Sequence, residues 1–146
     1  MLLNIASTST TLNLPTVATF NLRSLPPKIQ SLKCDIIERN VDVAFLQEIW
    51  EKNGNESFTS EIEKMFELQG LRYYSNPRPL NKKGGAYGGV AVVINGRKFT
   101  YKKFEITPPS GVEAIWGLAK SKLPGTKFRN LILCSFYSPP SLGKKY

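Results

Sequence analysis

Residues 43–48 of this 146-residue chain read Val-Ala-Phe-Leu-Gln-Glu, an apolar run of strand length that ends on an amide and a carboxylate. Two other apolar runs end in a similar way, because residues 16–20 are followed by Asn21 and residues 131–136 by Tyr137. Layered α/β proteins build their sites where buried strands reach the surface. We therefore predict that these three polar ends converge on one site.

The chemistry of the three groups suits a hard divalent cation and a phosphate. Mg²⁺ prefers oxygen ligands and is commonly held by one or two carboxylates plus substrate phosphate, so Glu48 alone can begin a metal site. Asn21 can orient a neighbouring carboxylate or water, and Tyr137 can donate its hydroxyl to a phosphate oxygen. Each residue also has an ordinary structural interpretation: a solvent-facing or lysine-paired carboxylate, a turn residue and a half-buried packing residue.

Net charge is +9 and is distributed unevenly along the chain. Residues 1–71 carry six Lys/Arg against nine Asp/Glu, a balance of −3, whereas residues 72–146 carry fourteen against two, a balance of +12. The basic half predicts a face for a polyanion, although a solvated basic surface would have the same composition.

The composition, 41% apolar and 21% charged, is that of one ordinary globular domain. Cys34 and Cys134 lack a CxxC spacing and predict two buried, reduced thiols in an intracellular protein. No Lys or Arg precedes Arg23, and the N-terminal apolar stretch is too short for a secretion signal or a membrane span. We predict a disordered leader over residues 1–15 and a folded, monomeric domain over residues 16–146.

The first half of the chain predicts a strand, a helix, a second strand and a second helix. Ser24 is placed to cap the first helix, with two prolines in its first turn, and Asn40 can close it. The second helix is indicated by the capping-box pair of Ser60 and Glu63, with Gly70 as its stop.

After Gly70 the pattern changes to strands. Five are predicted, over residues 71–74, 89–94, 97–104, 112–119 and 128–136. Short turns between them, such as Asn95-Gly96, predict antiparallel neighbours. From the pattern alone we expect an α+β fold with one mixed sheet and the helices on one side.

Several motifs occur in an order that is more specific than any one of them. They are Phe-Asn-Leu-Arg-Ser-Leu at residues 20–25, Lys28, residues 42–50 around the Gln-Glu pair, the glycine segment 84–94, Val-Glu-Ala-Ile-Trp at 112–116 and Phe-Tyr-Ser-Pro-Pro at 136–140. Over about residues 16–141 the chain resembles the N-terminal part of the endonuclease/exonuclease/phosphatase (DNase I-like) superfamily. Its Asn-Leu-Arg-Ser-Leu and Tyr-Ser-Pro-Pro forms are most similar to the endonuclease domains of non-LTR, LINE-like retrotransposons.

The resemblance implies a four-layer α-β-β-α sandwich, truncated at its C-terminus, that cuts DNA phosphodiesters with Mg²⁺ or Mn²⁺ in the nucleus. By motif, Asn21 would help to arrange the catalytic centre, Glu48 would bind the metal, and Tyr137 would contact the scissile phosphate. The metal would stabilise charge on the phosphate, while an Asp and a His further along the family's sequence prepare the attacking water.

The chain departs from the family after Tyr137. The family's Asp-x-Asn and Ser-Asp-His segments are expected there, but nine residues remain and the whole sequence contains no histidine. We therefore expect the N-terminal part of an endonuclease domain, inactive as it stands. Three alternatives stay open: a non-catalytic, basic nucleic-acid-binding module, a phosphatase of the same superfamily acting on a lipid or a small phosphate ester, and a degenerate product with an unstable half-fold.

The glycine segment lacks the Lys-Ser/Thr of a P-loop and does not fit G-x-G-x-x-G, so we interpret it as a tight approach into the following strand. Five basic residues are interpreted as contacts for DNA phosphates: Arg23, Arg72, Arg78, Lys82 and Lys83. A solvated basic loop explains them equally well.

Overall fold

The computed structural model describes residues 14–52, 55–79, 83–85, 87–125 and 129–138. Its elements, in chain order, are β1 (Val17–Asn21), a 3₁₀ turn (Pro26–Lys28), α1 (Ile29–Glu38), β2 (Val43–Gln47), α2 (Glu56–Glu67), β3 (Leu71–Asn76), β4 (Val90–Asn95), β5 (Phe99–Lys103), β6 (Glu113–Ser121) and β7 (Asn130–Tyr137). The predicted leader falls almost wholly outside the described residues, as does Lys82. No helix in the described part of the chain is long and apolar enough to cross a membrane.

The strands form two sheets that pack face to face. The first sheet has the order β1-β2-β4-β3, with β1 parallel to β2 and the other pairs antiparallel, and the second has the antiparallel order β5-β6-β7. Helices α1 and α2 bury Leu32, Ile36, Ile62 and Phe66 against one face of the first sheet. The α/β sandwich that the resemblance implied is therefore confirmed.

The opposite face of the first sheet meets the second sheet. A cluster of buried residues fills this interface: Val43, Val90, Val92, Ile94, Phe99, Ile115, Ala119 and Leu133. On the outer face of the second sheet Trp116, Ile132 and Phe136 are exposed, and the helices among the described residues lie over the first sheet. Three layers are thus present in the described part of the chain: helices, mixed sheet and antiparallel sheet.

The expectation of a single mixed sheet was wrong. The turn at Asn95-Gly96 does not join paired neighbours, because β4 already pairs with β2 on one edge and β3 on the other. With both edges of β4 occupied, β5 cannot add to it and instead begins the second sheet. The Gly96 N–H donates to the carbonyl of Gly70 at 2.9 Å, which fixes the point where the chain leaves the first sheet.

Three local predictions are corrected by the structure. Ser24 does not cap a helix, since the 3₁₀ turn follows Leu25 without a side-chain cap. Helix α2 begins a turn earlier than the Ser60 capping box predicted, because Asn55 accepts a hydrogen bond from the Phe58 N–H at 3.1 Å. Cys34 is exposed rather than buried, since it lies on the outer side of α1.

Gly117 in β6 provides the space for an aromatic ring between the sheets. A Cβ at this position would overlap the ring of Tyr101, which itself packs on Tyr74 with a centroid distance of 4.6 Å. We expect Gly117→Ala to lower the free energy of unfolding by about 1–3 kcal/mol, the usual cost of overpacking. Urea denaturation followed by circular dichroism measures the change. In a Tyr101→Ala background the added methyl should cost much less, and an equal cost there would contradict the explanation.

Candidate active site

The parallel pairing of β1 and β2 places Asn21 and Glu48 at the same end of the first sheet. Asn21 is the register partner of Gln47, so Glu48 follows directly beside it. Tyr137 ends β7 in the second sheet. Oε1 of Glu48 accepts a hydrogen bond from Asn21 Nδ2 at 3.2 Å and another from the Tyr137 hydroxyl at 2.5 Å. The structure therefore brings the three predicted site residues together, and their side chains come from both sheets.

A buried serine ties the two sheets together next to this centre. Ser135 is 1% exposed, and its hydroxyl donates to the Leu46 carbonyl at 3.2 Å. Gln47 Nε2 in turn donates to Ser135 Oγ at 3.4 Å. These bonds fix the end of β7 against the end of β2, so the Tyr137 hydroxyl is positioned by the fold and not only by its contact with Glu48.

The loops that follow β1 and β2 are hydrogen-bonded to each other through their backbones. The N–H of Leu22 donates to the carbonyl of Gln47 at 3.0 Å, that of Ser24 to Glu48 at 2.9 Å, and that of Leu25 to Ile49 at 2.9 Å. A further bond joins the Trp50 N–H to the Gly88 carbonyl at 2.9 Å, so the glycine segment is held beside the same loop.

Backbone strain is concentrated in these two loops. Arg23, Ser24, Glu48 and Trp50 have φ values of 49°, 99°, 53° and 54°, and among the described non-glycine residues Asn40 alone shares a positive φ. Such conformations cost of order 1–3 kcal/mol each and collect at functional sites, where the surrounding bonds enforce them. Here the bonds between the loops have that role.

Hydrogen bonding sets the ionisation of the centre. The bond from Tyr137 lowers the pKa of Glu48; the bond from Asn21 and the charges of Arg23 and Arg78 act in the same direction, against the opposing effect of burial. The same bond to Glu48 raises the pKa of Tyr137. At neutral pH the site therefore presents a carboxylate that can bind a cation beside a phenol that keeps its proton.

The donor set fits a magnesium-like cation better than zinc. Oε2 of Glu48 accepts no hydrogen bond from the described residues, so one carboxylate oxygen remains for a metal. Within the same residues no group of three or more His, Cys, Asp or Glu could hold a metal ion. Structural and catalytic zinc need three or four such ligands, whereas Mg²⁺ and Mn²⁺ keep several waters and share substrate phosphate.

An ion pair beside the centre was only half predicted. Glu113, the register partner of Tyr137, accepts hydrogen bonds from Arg78 Nε at 2.9 Å and from the Gly89 N–H. Arg78 was predicted as a nucleic-acid contact, but Glu113 received no role. Its signal in the sequence is a carboxylate at the start of an apolar strand, the mirror of Glu48 at a strand end.

The glycine segment makes room for this ion pair. Gly88 has a φ of 72°, and a Cβ there would overlap the guanidinium of Arg78. The guanidinium lies near the centre, because its partner Glu113 is the register partner of Tyr137 and its charge lowers the pKa of both Glu48 and Tyr137. The tight approach predicted for this segment therefore has a specific neighbour.

The other predicted basic contacts are dispersed. Arg23 is exposed and acts on the pKa of Glu48, so it borders the centre. Arg72 lies at the opposite end of β3, where it pairs with Glu67 at 2.5 Å. Lys83 is exposed, and Lys82 is outside the described residues.

No protein-family model matches the chain, and no curated protein matches it. Solved structures that are similar to it include the human Nocturnin catalytic domain with bound sulfate (15% identity, TM-score 0.54, 85% of this chain and 50% of that chain), the 3′ phosphatase NExo from Neisseria bound to product DNA hairpin (15%, 0.51, 75% and 38%), and the endonuclease domain of the telomere-specific non-LTR retrotransposon TRAS1 (14%, 0.50, 85% and 46%). The chain spans half or less of the length of each of these proteins. These likenesses show that the fold is that of the endonuclease/exonuclease/phosphatase superfamily, as the motifs predicted.

Proposed function

We propose that this chain carries the cation-binding and phosphate-binding part of a divalent-metal-dependent phosphodiesterase that acts on DNA. The observation that supports this most directly is the double hydrogen bond to one oxygen of Glu48, from Asn21 and from Tyr137, which leaves the other oxygen for a cation. An unpaired strand-end glutamate facing solvent would need no such partners from two sheets.

Each residue has a defined part in this proposal. Glu48 would hold Mg²⁺ or Mn²⁺ through Oε2, and the bound cation would stabilise charge on the phosphate. Asn21 fixes the orientation of the Glu48 carboxylate. The Tyr137 hydroxyl has one proton, which it donates to Glu48 here and would donate to a phosphate oxygen instead once a bound cation neutralises Glu48. Because the 146 residues contain no histidine, we expect the isolated chain to bind cation and phosphate but to hydrolyse slowly.

DNA as the substrate rests on charge and on the neighbours. Arg23 and Arg78 border the centre, and residues 72–146 have a charge balance of +12 against −3 for residues 1–71. One similar structure is described as bound to product DNA hairpin and another as a retrotransposon endonuclease domain. We infer by analogy a retrotransposon-type endonuclease domain that works in the nucleus.

Titration of the 146-residue chain with Mn²⁺ tests the proposal. Loss of the electron paramagnetic resonance signal of free Mn²⁺ should show one cation bound per chain. Inorganic phosphate should raise the affinity for Mn²⁺, because phosphate oxygens complete the set of metal ligands. No binding at millimolar Mn²⁺ with phosphate present would refute the proposal. Nicking of supercoiled plasmid with Mg²⁺ should be weak, and robust nicking would overturn only the expectation of slow hydrolysis.

Removing the Tyr137 hydroxyl should change the pH range of Mn²⁺ binding. The hydrogen bond from Tyr137 is the largest cause of the lowered pKa of Glu48. The ordinary pKa of a glutamate is 4.5, so Glu48 should stay ionised to a lower pH than an ordinary glutamate. In Tyr137→Phe the pKa should rise, and the midpoint of Mn²⁺ binding should move to higher pH. Tyr101→Phe, between the sheets, should leave the midpoint in place. An unmoved midpoint in Tyr137→Phe would contradict this assignment.

A phosphatase is the second candidate, because one similar structure is a 3′ phosphatase and another, at TM-score 0.52, is the 2′,3′-cyclic phosphatase ANGEL2. Release of inorganic phosphate from a 3′-phosphorylated oligonucleotide, without internal cleavage, would favour it. A non-catalytic DNA-binding module would instead retain duplex DNA in EDTA, with an affinity that falls steeply with salt.

A further inference from the structure

A concave surface adjoins the Glu48 centre, and its lining includes three aromatic side chains, Trp50, Phe58 and Tyr87. Its volume is about 420 Å³, within the roughly 300–1,000 Å³ of small-molecule sites. We call it the aromatic cleft and define it by six of its lining residues: Pro26, Trp50, Lys52, Asn55, Phe58 and Tyr87. The rings of Trp50 and Tyr87 meet edge to face, with centroids 5.1 Å apart and planes at 75°.

The aromatic cleft is continuous with the centre through two short connections. Trp50 is two residues after Glu48 and shares its strained loop. Ser24, which also lines the cleft, donates its N–H to the Glu48 carbonyl at 2.9 Å. A polynucleotide with a phosphate at Glu48 would therefore have a neighbouring nucleotide within reach of the aromatic rings.

Exposure separates these rings from ordinary core packing. Tyr87 is 52% exposed and Trp50 is half-buried, so the pair presents ring surface to solvent at the mouth of the cleft. Lys52, also exposed, adds a positive charge at the same place. Aromatic faces beside a cation are the arrangement with which proteins hold the bases of single-stranded nucleic acid.

We propose that the aromatic cleft binds an unpaired base of the nucleic-acid substrate by stacking on Trp50 and Tyr87. The inference rests on the proposed function and deepens it, because it narrows the substrate to DNA with an unstacked nucleotide beside the phosphate at Glu48. A fully paired duplex offers base edges and phosphates but no free base face, so it cannot use the rings.

The chain contains two tryptophans, which allows a direct test. Trp116 lies on the outer face of the second sheet, so Trp116→Phe leaves Trp50 as the sole indole. In this background, titration with a six-nucleotide oligothymidylate in EDTA should quench the fluorescence of Trp50. A dumbbell duplex closed by a hairpin loop at each end, with both loops built from non-nucleotide linkers, and inorganic phosphate should quench it little.

Substitution of Tyr87 should then separate stacking from charge. Tyr87→Ala should weaken oligothymidylate binding by roughly 5- to 150-fold, the range for one base stack, whereas Tyr87→Phe should retain it. Lys52→Gln should weaken oligothymidylate binding. The matched control is Lys102→Gln, which changes an exposed lysine on the outer face of β5 and should have a smaller effect on the same affinity.

The proposal is overturned if Tyr87→Ala binds oligothymidylate as tightly as Tyr87→Phe, or if duplex DNA quenches Trp50 as strongly as the single strand. Both measurements are made in EDTA and do not depend on the metal. If the chain binds no Mn²⁺ but its oligothymidylate binding still depends on Tyr87, the proposed function alone is refuted. If the chain binds Mn²⁺ but its oligothymidylate binding does not depend on Tyr87, the base-stacking proposal alone is refuted.

Discussion

Glu48→Gln should weaken Mn²⁺ binding by at least about 100-fold. At metal sites, substitution of a residue that only hydrogen-bonds to a metal ligand already costs about 10–100-fold in affinity, and Glu48 is proposed as the ligand itself. The substitution deletes the charge and keeps the shape. Glutamine can still accept through Oε1 from Asn21 and Tyr137, so the loops should keep their arrangement. The measurement is the Mn²⁺ titration described above, with thermal unfolding of each variant in parallel.

A matched control is an exposed glutamate remote from the centre. Glu38 at the end of α1 is exposed, so Glu38→Gln removes one negative charge without touching the site. We expect its Mn²⁺ affinity to equal that of the parent chain. If Glu48→Gln retained the parent affinity with an unchanged melting temperature, Glu48 would be excluded as the metal ligand.

The convergence of Asn21, Glu48 and Tyr137 was predictable because each residue carries a local signal. Asn21, Glu48 and Tyr137 each follow an apolar run. A polar group that ends a buried strand must lie at the end of that strand, where the sheet reaches the surface. Their convergence needed only β1 parallel to β2, and β7 ending at the same side. Both follow from strand order once the resemblance supplies the two sheets.

Two of the misplacements have a common physical origin in tertiary pairing. Asn95-Gly96 has the chemistry of a hairpin turn, but no local signal reports that both edges of β4 are already taken. Arg72 lies near the glycine segment in sequence, yet the antiparallel direction of β3 carries it to the far end of the sheet. Long-range geometry of this kind is not written in any short window.

The aromatic cleft was missed for a similar reason. Trp50 and Tyr87 are 37 positions apart, and neither lies in a periodic segment that would mark it as a surface residue. Two backbone hydrogen bonds, from the Trp50 N–H to the Gly88 carbonyl and from the Ile49 N–H to the Gly89 carbonyl, hold the two loops together. A search for aromatic residues within two positions of a strand-end carboxylate would have found Trp50, because it follows Glu48 by two residues.

Tyr73→Phe should lower the free energy of unfolding by about 3 kcal/mol, because it leaves a buried carboxylate short of a hydrogen bond. Glu51 is 2% exposed and accepts from the Tyr73 hydroxyl at 2.6 Å and from the Thr59 hydroxyl. This anchor, three residues after Glu48, holds the strained loop against β3 and α2. Urea denaturation at neutral pH measures the loss. Tyr74→Phe is the matched control, since the Tyr74 hydroxyl has no hydrogen bond to the described residues.

The pH dependence of this loss checks that the Tyr73 hydroxyl is buried in its protonated form. Burial, followed by the charge of Glu51, raises the pKa of Tyr73 well above its usual value of 10.0. A raised folded-state pKa gives stability that is complete below pH 10 and is lost as the pH rises, because the unfolded phenol ionises first. Phenylalanine cannot ionise, so the stability difference between the parent chain and Tyr73→Phe should narrow above pH 10. A difference that stayed constant with pH would show that folding does not raise the pKa of Tyr73. Glu51→Gln, which keeps an acceptor but removes the buried charge, should cost less than Tyr73→Phe if desolvation of that charge is what makes the anchor necessary.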